Sequence, residues 1–289
     1  MVTEKLERLR GLLRSYGSCL VAYSGGVDSV FLAHVARQTL GERALAAIAD
    51  SPSLPRKELE EALELGERFG FPVRIVKTRE FQNSEYLSNP NNRCFFCKHE
   101  LFTELAPLAA SEGFAVLAYG ENASDVGDHR PGAKAAANFD VRAPLKEAGL
   151  TKADIRALSA ILGLPTADKP QMACLSSRIP YGEAVTVEKL GMVERAENIL
   201  RELGFYDVRV RHHQLGGTGF QVLPNSGGTG SNATILTHLA RIEVGPEEFS
   251  KFLSHGNPSA IAEAIKAVGY AHVTLDLKGY RRGSMNEKP

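Results

Sequence analysis

The sequence predicts an α/β protein built on a parallel, doubly wound sheet, followed by a smaller α/β domain. Short apolar runs typical of buried strands alternate with longer segments whose apolar residues recur at helical spacing. Polar and glycine-rich turns follow these strands, as they do where parallel sheets bind ligands. At 289 residues, 43% of them hydrophobic, the chain is long enough to bury two cores. We expect domains over residues 1–180 and 181–289.

Composition and charge argue against several functional classes. The 34 basic and 34 acidic residues cancel, so no long-range field would recruit a nucleic acid. No apolar run reaches the roughly 18 residues of a membrane span, and charges occupy the N-terminal segment where a signal peptide would be apolar. We therefore expect no nucleic-acid or membrane partner and a cytoplasmic location. Four cysteines in a chain of this length do not form a disulfide framework.

The first domain is predicted element by element from apolar spacing and turn residues. Residues 3–16 predict an amphipathic helix that covers the sheet. The next elements are a strand over 19–23, a helix from about residue 30, a strand over 43–50, a helix over 56–69, and strands over 73–76 and 115–119. The carboxyl ends of parallel strands share one edge of the sheet, where ligands bind. That edge should carry Ser24, Asp50, Ser51 and Gly120.

The turn after the first strand has the composition of a phosphate-binding loop. It comprises Ser24, Gly25, Gly26, Val27, Asp28 and Ser29. The glycines let the backbone approach an anion, and the serine hydroxyls add donors at a helix N-terminus. Asp28 either caps the helix or meets the nucleotide through Mg²⁺, and we favour magnesium because a bare carboxylate would repel phosphate. No lysine follows the glycines, so this is not a GxxxxGKS/T loop. SGGVDS instead resembles the PP-loop of ATP pyrophosphatases, which implies a Rossmann-like PP-loop (HUP) domain and ATP as substrate.

Three cysteines and a polar segment are further candidates. Cys94 and Cys97 form a CxxC pair, and Cys174 precedes an arginine that would favour its thiolate. These three could hold an iron–sulfur cluster, or with His99 a zinc ion. Cys19, in an apolar strand, is expected to be a core residue. Residues 120–132 are interpreted as a functional loop, although plain solvated turns use the same residue types.

The second domain contains a predicted pair of arginines on one strand face. A helix is expected over 185–203 and a strand over 206–212, in which Arg209 and Arg211 alternate onto the same side. Two such guanidiniums suit a substrate phosphate, unless the strand is a solvent-facing basic edge. Residues 214–237 are a Gly/Ser-rich insertion, followed by short helices over 247–253 and 259–268 and a strand over 272–277.

Six motifs together resemble the LarE family, the ATP-dependent sulfur transferases of nickel-pincer cofactor synthesis. They are SGGVDS at 24–29, DSPSLP at 50–55, RCFFCK at 93–98, GENASDVGDHRPG at 120–132, DKP at 168–170 and ACLSSRIPYGE at 173–183. The resemblance runs from about residue 2 to 206 and resumes near 239. The insertion at 214–237 departs from the family pattern, which usually has only a few residues there.

The resemblance implies that ATP adenylates a carboxylate of pyridinium-3,5-biscarboxylic acid mononucleotide, which then becomes a thiocarboxylate. Family members with only the cysteine matching Cys174 sacrifice its sulfur and turn over once. Those with the CxxC pair resemble enzymes in which three cysteines hold a 4Fe-4S cluster and the fourth iron carries sulfide. This chain has the pair, so Cys94, Cys97 and Cys174 are the expected ligands and catalytic residues.

The resemblance also implies roles for residues of the second half of the chain. Ser177 and Arg178 are assigned to cofactor binding, and Arg209 and Arg211 match substrate-phosphate arginines. Glu197 and Glu243 match ligands of a divalent metal, although sequence alone makes them surface carboxylates. A homo-oligomer is implied, with a hexamer as first candidate.

Two other functions stay open at the level of sequence. Some tRNA thiolation enzymes pair a PP-loop with a CxxC and a third cysteine, but they typically carry SGGKDS and basic surfaces. A non-catalytic module that senses adenine nucleotide or redox state would bind ATP without releasing pyrophosphate.

Overall fold

A computed structural model describes residues 2–125, 131–170, 173–215, 237–254 and 258–281. The chain divides into two compact units, Met1–Cys174 and Leu175–Pro289. The first unit holds a four-stranded parallel sheet with helices, and the second holds a three-stranded sheet with helices. The predicted α/β class with a parallel sheet is therefore confirmed. No helix among the described residues is long and apolar enough to cross a membrane.

The first unit alternates strands and helices as predicted. Its strands are β1 (Cys19–Tyr23), β2 (Ala44–Asp50), β3 (Val73–Lys77) and β4 (Val116–Tyr119). Its helices are α1 (Val2–Tyr16), α2 (Val27–Leu40), α3 (Arg56–Arg68), α4 (Ser84–Leu87), α5 (Arg93–Ser111), α6 (Pro131–Asn138), α7 (Pro144–Glu147) and α8 (Lys152–Ile161). Each strand lies within one residue of its expected bounds. The sequence reasoning did not predict α5 and α8, and both contribute to the site below.

The core of the first unit explains these elements. Every residue of β1 is buried, because helices cover both faces of the central strand. Leu6, Leu9 and Leu13 of α1 are buried in the same core, which confirms the predicted amphipathic helix. Cys19 is fully buried there too, and burial raises the pKa of its thiol to about 12. Cys19 is therefore a core residue, as expected.

The order of the strands locates a crevice. The sheet runs β3-β2-β1-β4, so the chain extends the sheet from β1 to one side through β2 and β3, and to the other through β4. The strand order therefore changes direction between β1 and β4, which leaves a crevice at the carboxyl ends of these two strands. Ligands of doubly wound sheets bind beyond the carboxyl ends of the strands at such a point.

The second unit is a small α/β layer. Its elements are α9 (Val187–Glu202), β5 (Val208–Leu215), β6 (Thr237–Val244), α10 (Phe249–Ser254), α11 (Pro258–Ala267) and β7 (His272–Leu275). Strands β5 and β6 are antiparallel, and Leu215 pairs with Thr237. The insertion predicted at 214–237 therefore joins two paired strands. Its residues 216–236 lie outside the described residues.

Candidate active site

Hydrogen bonds made by Ser24 and Ser29 hold the phosphate loop in its conformation. The Ser24 N–H donates to Ser29 Oγ over 3.1 Å, and Ser29 Oγ donates to the Gly26 carbonyl over 3.1 Å. Gly25 has a φ of +70°, the left-handed region that favours glycine. Gly26 is the N-cap of α2 and no side chain caps that helix. The first-turn N–H groups of α2 therefore suit a bound anion.

A cavity of about 180 Å³ opens beside this loop at the carboxyl ends of β1 and β4. It is lined by Ala22, Tyr23, Ser24, Gly26, Asp28, Ser29, Lys98, Leu101, Phe102, Tyr119, Gly120 and Glu121. Five of the predicted cofactor-binding residues therefore line one cavity, which is far larger than the ~30 Å³ share of one water. Gly25, Val27, Asp50 and Ser51 are not among the lining residues.

Gly120 allows β4 to approach the loop closely. A Cβ at this position would lie 3.1 Å from the Ser29 nitrogen and 3.2 Å from the Asp28 Cβ. Such contacts are tighter than side chains normally accept. The predicted loop 120–132 thus begins inside the cavity, turns through Ala123–Asp125, and reaches α6 at Pro131. Residues 126–130 lie outside the described residues.

Sequence reasoning missed three polar residues of the cavity. Lys98 Nζ lies 4.9 Å from the Tyr119 ring centroid, a cation–π distance. Glu121 accepts hydrogen bonds from the Tyr119 hydroxyl and from Lys146 Nζ. Burial opposes ionisation of Glu121, but these donors and nearby lysine charges leave its pKa below its usual value. The helical spacing of Lys98 with Leu101 and Phe102 was a signal that could have found the lysine.

Asp28 has a partner that neither sequence interpretation included. Its Oδ2 accepts a hydrogen bond from Lys152 Nζ over 2.6 Å. Lys152 is the first residue of α8 and lies 124 positions away along the chain. The carboxylate predicted to meet magnesium is therefore neutralised by an ammonium group in this structure.

Asp50 and Ser51 end the neighbouring strand and are held by Arg56. The Arg56 guanidinium pairs with the Asp50 carboxylate and donates to the Ser51 carbonyl over 2.6 Å. Ser51 Oγ also accepts from the Ser53 N–H over 3.0 Å. This turn is ordered by its own hydrogen bonds at the predicted edge of the sheet.

The CxxC pair lies on the helix that lines the cavity. Cys94, Cys97 and Lys98 fall on one face of α5, at positions i, i+3 and i+4. Burial raises the pKa of the Cys97 thiol, and negative charge on Cys174 raises it further. Burial and Cys174 raise the pKa of Cys94 in the same way. The three sulfur atoms therefore lie near enough to interact electrostatically. None of the four cysteines, all of which lie in the described part of the chain, forms a disulfide.

These thiols do not surround a single metal ion. Within the described part of the chain, no three His, Cys, Asp or Glu side chains are grouped to hold one ion. His99 packs its ring against Phe139, with centroids 5.0 Å apart, and against Phe95. The zinc alternative therefore finds no support. Cys94, Cys97 and Cys174 would be the residues to hold a 4Fe-4S cluster, whose usual protein ligands are cysteine thiolates.

In the second unit, Glu197 is the centre of a buried ion-pair network. Arg178 Nε donates to its Oε1 over 2.8 Å and Arg178 Nη2 to its Oε2 over 3.1 Å. Arg201 and the Val210 N–H also donate to this carboxylate. Burial opposes ionisation, but the Arg178 charge and hydrogen bonds leave the Glu197 pKa below its usual value. Ser177 contributes a hydroxyl that accepts from Arg178 over 3.0 Å.

The two predicted phosphate arginines are buried. Arg209 and Arg211 are 3% and 5% exposed, so the alternative of a solvent-facing basic edge is wrong. Arg211 Nη2 pairs with Glu243 over 2.8 Å, and the Arg209 guanidinium lies 4.8 Å from the Tyr280 ring centroid. Glu243 and Glu197 are both fully buried, so the alternative of surface carboxylates is wrong too. Both acids are paired with arginines rather than grouped with further metal ligands among the described residues.

The chain is similar to several known proteins over most of its length. An uncharacterized protein from Synechocystis sp. is 42% identical over 286 residues, 99% of this chain and 98% of that protein. The pyridinium-3,5-bisthiocarboxylic acid mononucleotide synthase of Lactiplantibacillus plantarum is 31% identical over 284 residues, 98% of this chain and 94% of that enzyme. A glutamine-hydrolyzing GMP synthase component of Methanopyrus kandleri is 28% identical over 219 residues, 70% of this chain and 68% of that component. No model of a known protein family matches the chain.

These relatives agree with the fold and the loop. The parallel sheet with SGGVDS at the end of β1 is a PP-loop (HUP) fold, and the similarity to a GMP synthase component agrees with this. Because 31% identity extends over 98% of its residues, the chain belongs to the family of pyridinium-3,5-bisthiocarboxylic acid mononucleotide synthase.

Proposed function

We propose that the protein is an ATP-dependent sulfur transferase that converts a carboxylate of pyridinium-3,5-biscarboxylic acid mononucleotide into a thiocarboxylate. One observation carries the proposal: a single cavity is lined by the SGGVDS loop and by the helix face that follows the CxxC pair. Helix α5 therefore connects the CxxC pair to this cavity, although Cys94, Cys97 and Cys174 are not among its lining residues. The 31% identity to the synthase supports the same substrate class.

The first step would be adenylation of the acid. A carboxylate oxygen attacks the α-phosphorus of ATP, and the bond to the β,γ-phosphates breaks with release of pyrophosphate. The N–H groups at the start of α2 and the hydroxyls of Ser24 and Ser29 would stabilise the charge that grows on the leaving group. Asp28 would hold the nucleotide through Mg²⁺, whose preferred ligands are oxygens.

The second step would replace AMP by sulfur. The acyl-adenylate is electrophilic because AMP is a far better leaving group than oxide, so a sulfide can attack its carbonyl carbon. When bound by Cys94, Cys97 and Cys174, a 4Fe-4S cluster would supply that sulfide from the iron that lacks a protein ligand. Burial, and after it the charge of Cys174, raises the pKa of Cys94 and Cys97, so this site disfavours thiolates unless a cation is bound. The irons of a cluster would supply this positive charge, so the residues fit the group.

The second unit contains our candidate residues for the substrate phosphate. Ser177, Arg178, Arg209 and Arg211 would carry the phosphate of the mononucleotide, although the three arginines now engage carboxylate, aromatic or backbone groups. We retain Glu197 and Glu243 as metal ligands only if a cation displaces their arginine partners. A homo-oligomer remains part of the proposal.

Pyrophosphate release tests the proposal directly. The protein is reconstituted anaerobically with iron and sulfide, and pyrophosphate formed from ATP is measured with and without the pyridinium mononucleotide. We expect release that depends on this substrate, with thiocarboxylate detected by mass spectrometry. ATP binding without release would instead indicate a non-catalytic module, and stimulation by tRNA would indicate tRNA thiolation.

The matched variants are Cys174→Ser and Cys19→Ala. Cys174→Ser should lower bound iron and abolish thiocarboxylate formation while substrate-dependent pyrophosphate release persists. Cys19→Ala removes a thiol that lies in the core and should leave both steps intact. An unchanged cluster and unchanged sulfur transfer in Cys174→Ser would contradict the role of this cysteine.

A further inference from the structure

We propose that Lys152 is the pyrophosphate-binding cation of this loop, supplied from a different helix in place of the lysine that SGGVDS lacks. The inference deepens the proposed function and rests on it. Residues 24–29 contain no basic side chain, yet a loop that releases pyrophosphate must stabilise several negative charges. In a GxxxxGKS/T loop, a lysine within the loop reaches the β- and γ-phosphates.

The position of Lys152 is fixed from several sides. Thr151 and Asp154 form a capping box at the start of α8, with Thr151 Oγ1 accepting from the Asp154 N–H. The Lys152 N–H donates to Ser124 Oγ over 3.0 Å, and Lys5 Nζ pairs with Asp154 over 2.6 Å. With the backbone held in this way, the flexible stem of Lys152 brings its ammonium group to the loop.

The ion pair with Asp28 suggests an exchange of partners. Lys152 Nζ and Asp28 Oδ2 are 2.6 Å apart, and the two side chains are partly exposed, at 31% and 22%. Without nucleotide, the ammonium neutralises a carboxylate that would otherwise repel phosphate. If Asp28 were a Mg²⁺ ligand in the nucleotide complex, the Lys152 ammonium would lose this partner and could turn to the phosphates. A lysine suits this role because its charge is compact and its three donors can rotate.

Two other lysines, Lys98 and Lys146, contact residues at the end of β4. Lys146 pairs with Glu121, and Lys98 lies over the Tyr119 ring. Lys152, by contrast, pairs with Asp28 in the first turn of α2, within the loop itself.

Calorimetric titration with inorganic pyrophosphate tests the assignment on the intact protein. With Mg²⁺ present, Lys152→Gln should bind pyrophosphate at least tenfold more weakly than wild type, while AMP affinity changes less than twofold. Lys266→Gln is the control, because it removes one lysine of an exposed lysine–carboxylate pair on α11 and leaves the contacts of Lys152 unchanged. Its pyrophosphate affinity should equal that of wild type.

Asp28→Asn separates partner exchange from simple charge removal. In magnesium-free buffer, Asp28→Asn should increase the affinity of the otherwise wild-type protein for pyrophosphate. The same substitution in Lys152→Gln should give a fold increase in affinity that is at least threefold smaller. Equal gains in both backgrounds would show that Asp28 acts only by repulsion and would overturn the exchange. Lys152→Arg should keep most of the affinity, which guards against a misfolded glutamine variant.

The outcomes distinguish this inference from the proposed function. If wild type binds pyrophosphate and Lys152→Gln binds it equally well, the inference fails while the sulfur-transferase proposal stands. If wild type binds neither ATP nor pyrophosphate, the proposed function itself fails.

Discussion

Gly25 shows how a single backbone position can decide whether the phosphate loop forms. Its φ is +70°, and an added Cβ would lie 2.9 Å from the Ala62 Cβ on α3. The residue therefore needs both the left-handed conformation and the space that only glycine leaves. Gly25 contributes to the loop through its conformation, since it does not line the cavity.

We expect Gly25→Ala to lower the free energy of unfolding by more than its conformation alone explains. The left-handed conformation costs an alanine about 1–2 kcal/mol, and crowding against Ala62 adds about 1–3 kcal/mol. Gly17→Ala is the control, because Gly17 has a φ of +73° and open space around its Cβ position. Urea unfolding measures the loss of unfolding free energy in each of the two variants. Equal losses in the two variants would show that the contact with Ala62 relaxes without cost.

A second residue-scale prediction concerns Glu197. Both Glu197 and Arg178 are fully buried, and the carboxylate receives donors from two arginines and a backbone N–H. Glu197→Gln should lower the free energy of unfolding by about 3–5 kcal/mol, because it leaves buried guanidiniums without their counter-charge. Glu7→Gln, at an exposed pair with Arg10, should cost less than about 1 kcal/mol. A small loss at Glu197 would mean that water or another acid replaces its charge.

At the residue scale, the sequence predicted those features that depend only on residues adjacent along the chain. The SGGVDS loop is specified by its own glycines and serines, so its place after β1 followed from the sequence. Lys152 and Glu121 did not follow, because their relation to the loop depends on how α8 and β4 pack. Nor did the burial of Arg209 and Arg211, since alternation gives a shared face but not what covers it.

At the element scale, strands were easier to predict than the helices that carry function. The apolar runs of β1 to β4 are short and bounded by turn residues, which fixes their limits. Helix α5 was missed because the CFFC motif was interpreted only as a metal or redox site. The apolar residues that follow it, up to Ser111, recur at helical spacing. Strand β6 was missed because the Gly/Ser-rich insertion before it obscured its pairing with β5.

A pair of neighbouring histidines on β5 and β6 should make the stability of the protein depend on pH. His212 is fully buried, its ring centroid lies 4.6 Å from that of His238, and its Nδ1 meets the Tyr270 hydroxyl. Burial, with the charges of His238 and Lys189, lowers the His212 pKa to about 3. The unfolded chain takes up this proton near pH 6.5 and the folded chain does not. Stability is therefore complete above pH 6.5 and falls as the pH drops towards 3.

We expect the free energy of unfolding to fall between pH 7.5 and 5, by at most about 1.4 kcal/mol per pH unit for this one group. The ordinary pKa values of Asp and Glu are about 4, below this window, so we attribute the fall in stability to the histidines. His212→Gln should flatten the slope, whereas His272→Gln, at an exposed position of β7, should not. An unchanged slope in His212→Gln would mean that His213 or His238 accounts for it.

At the scale of the whole molecule, zero net charge conceals local separation of charge. Basic and acidic residues total 34 each, yet Lys98 lines the cavity, Lys152 pairs with Asp28 of the loop, and the second unit buries several arginines. Such local fields suit small anions rather than a polymer. This agrees with a mononucleotide substrate, and the identity to the synthase extends over both units.

The central claim is that the protein transfers sulfur repeatedly from a cluster held by Cys94, Cys97 and Cys174. The most direct measurement is the number of thiocarboxylate groups formed per chain, counted by mass spectrometry after anaerobic reconstitution with excess sulfide, ATP and the pyridinium mononucleotide. The account predicts several groups per chain, with Cys174 chemically intact at the end. At most one group per chain, with Cys174 converted to dehydroalanine, would contradict it.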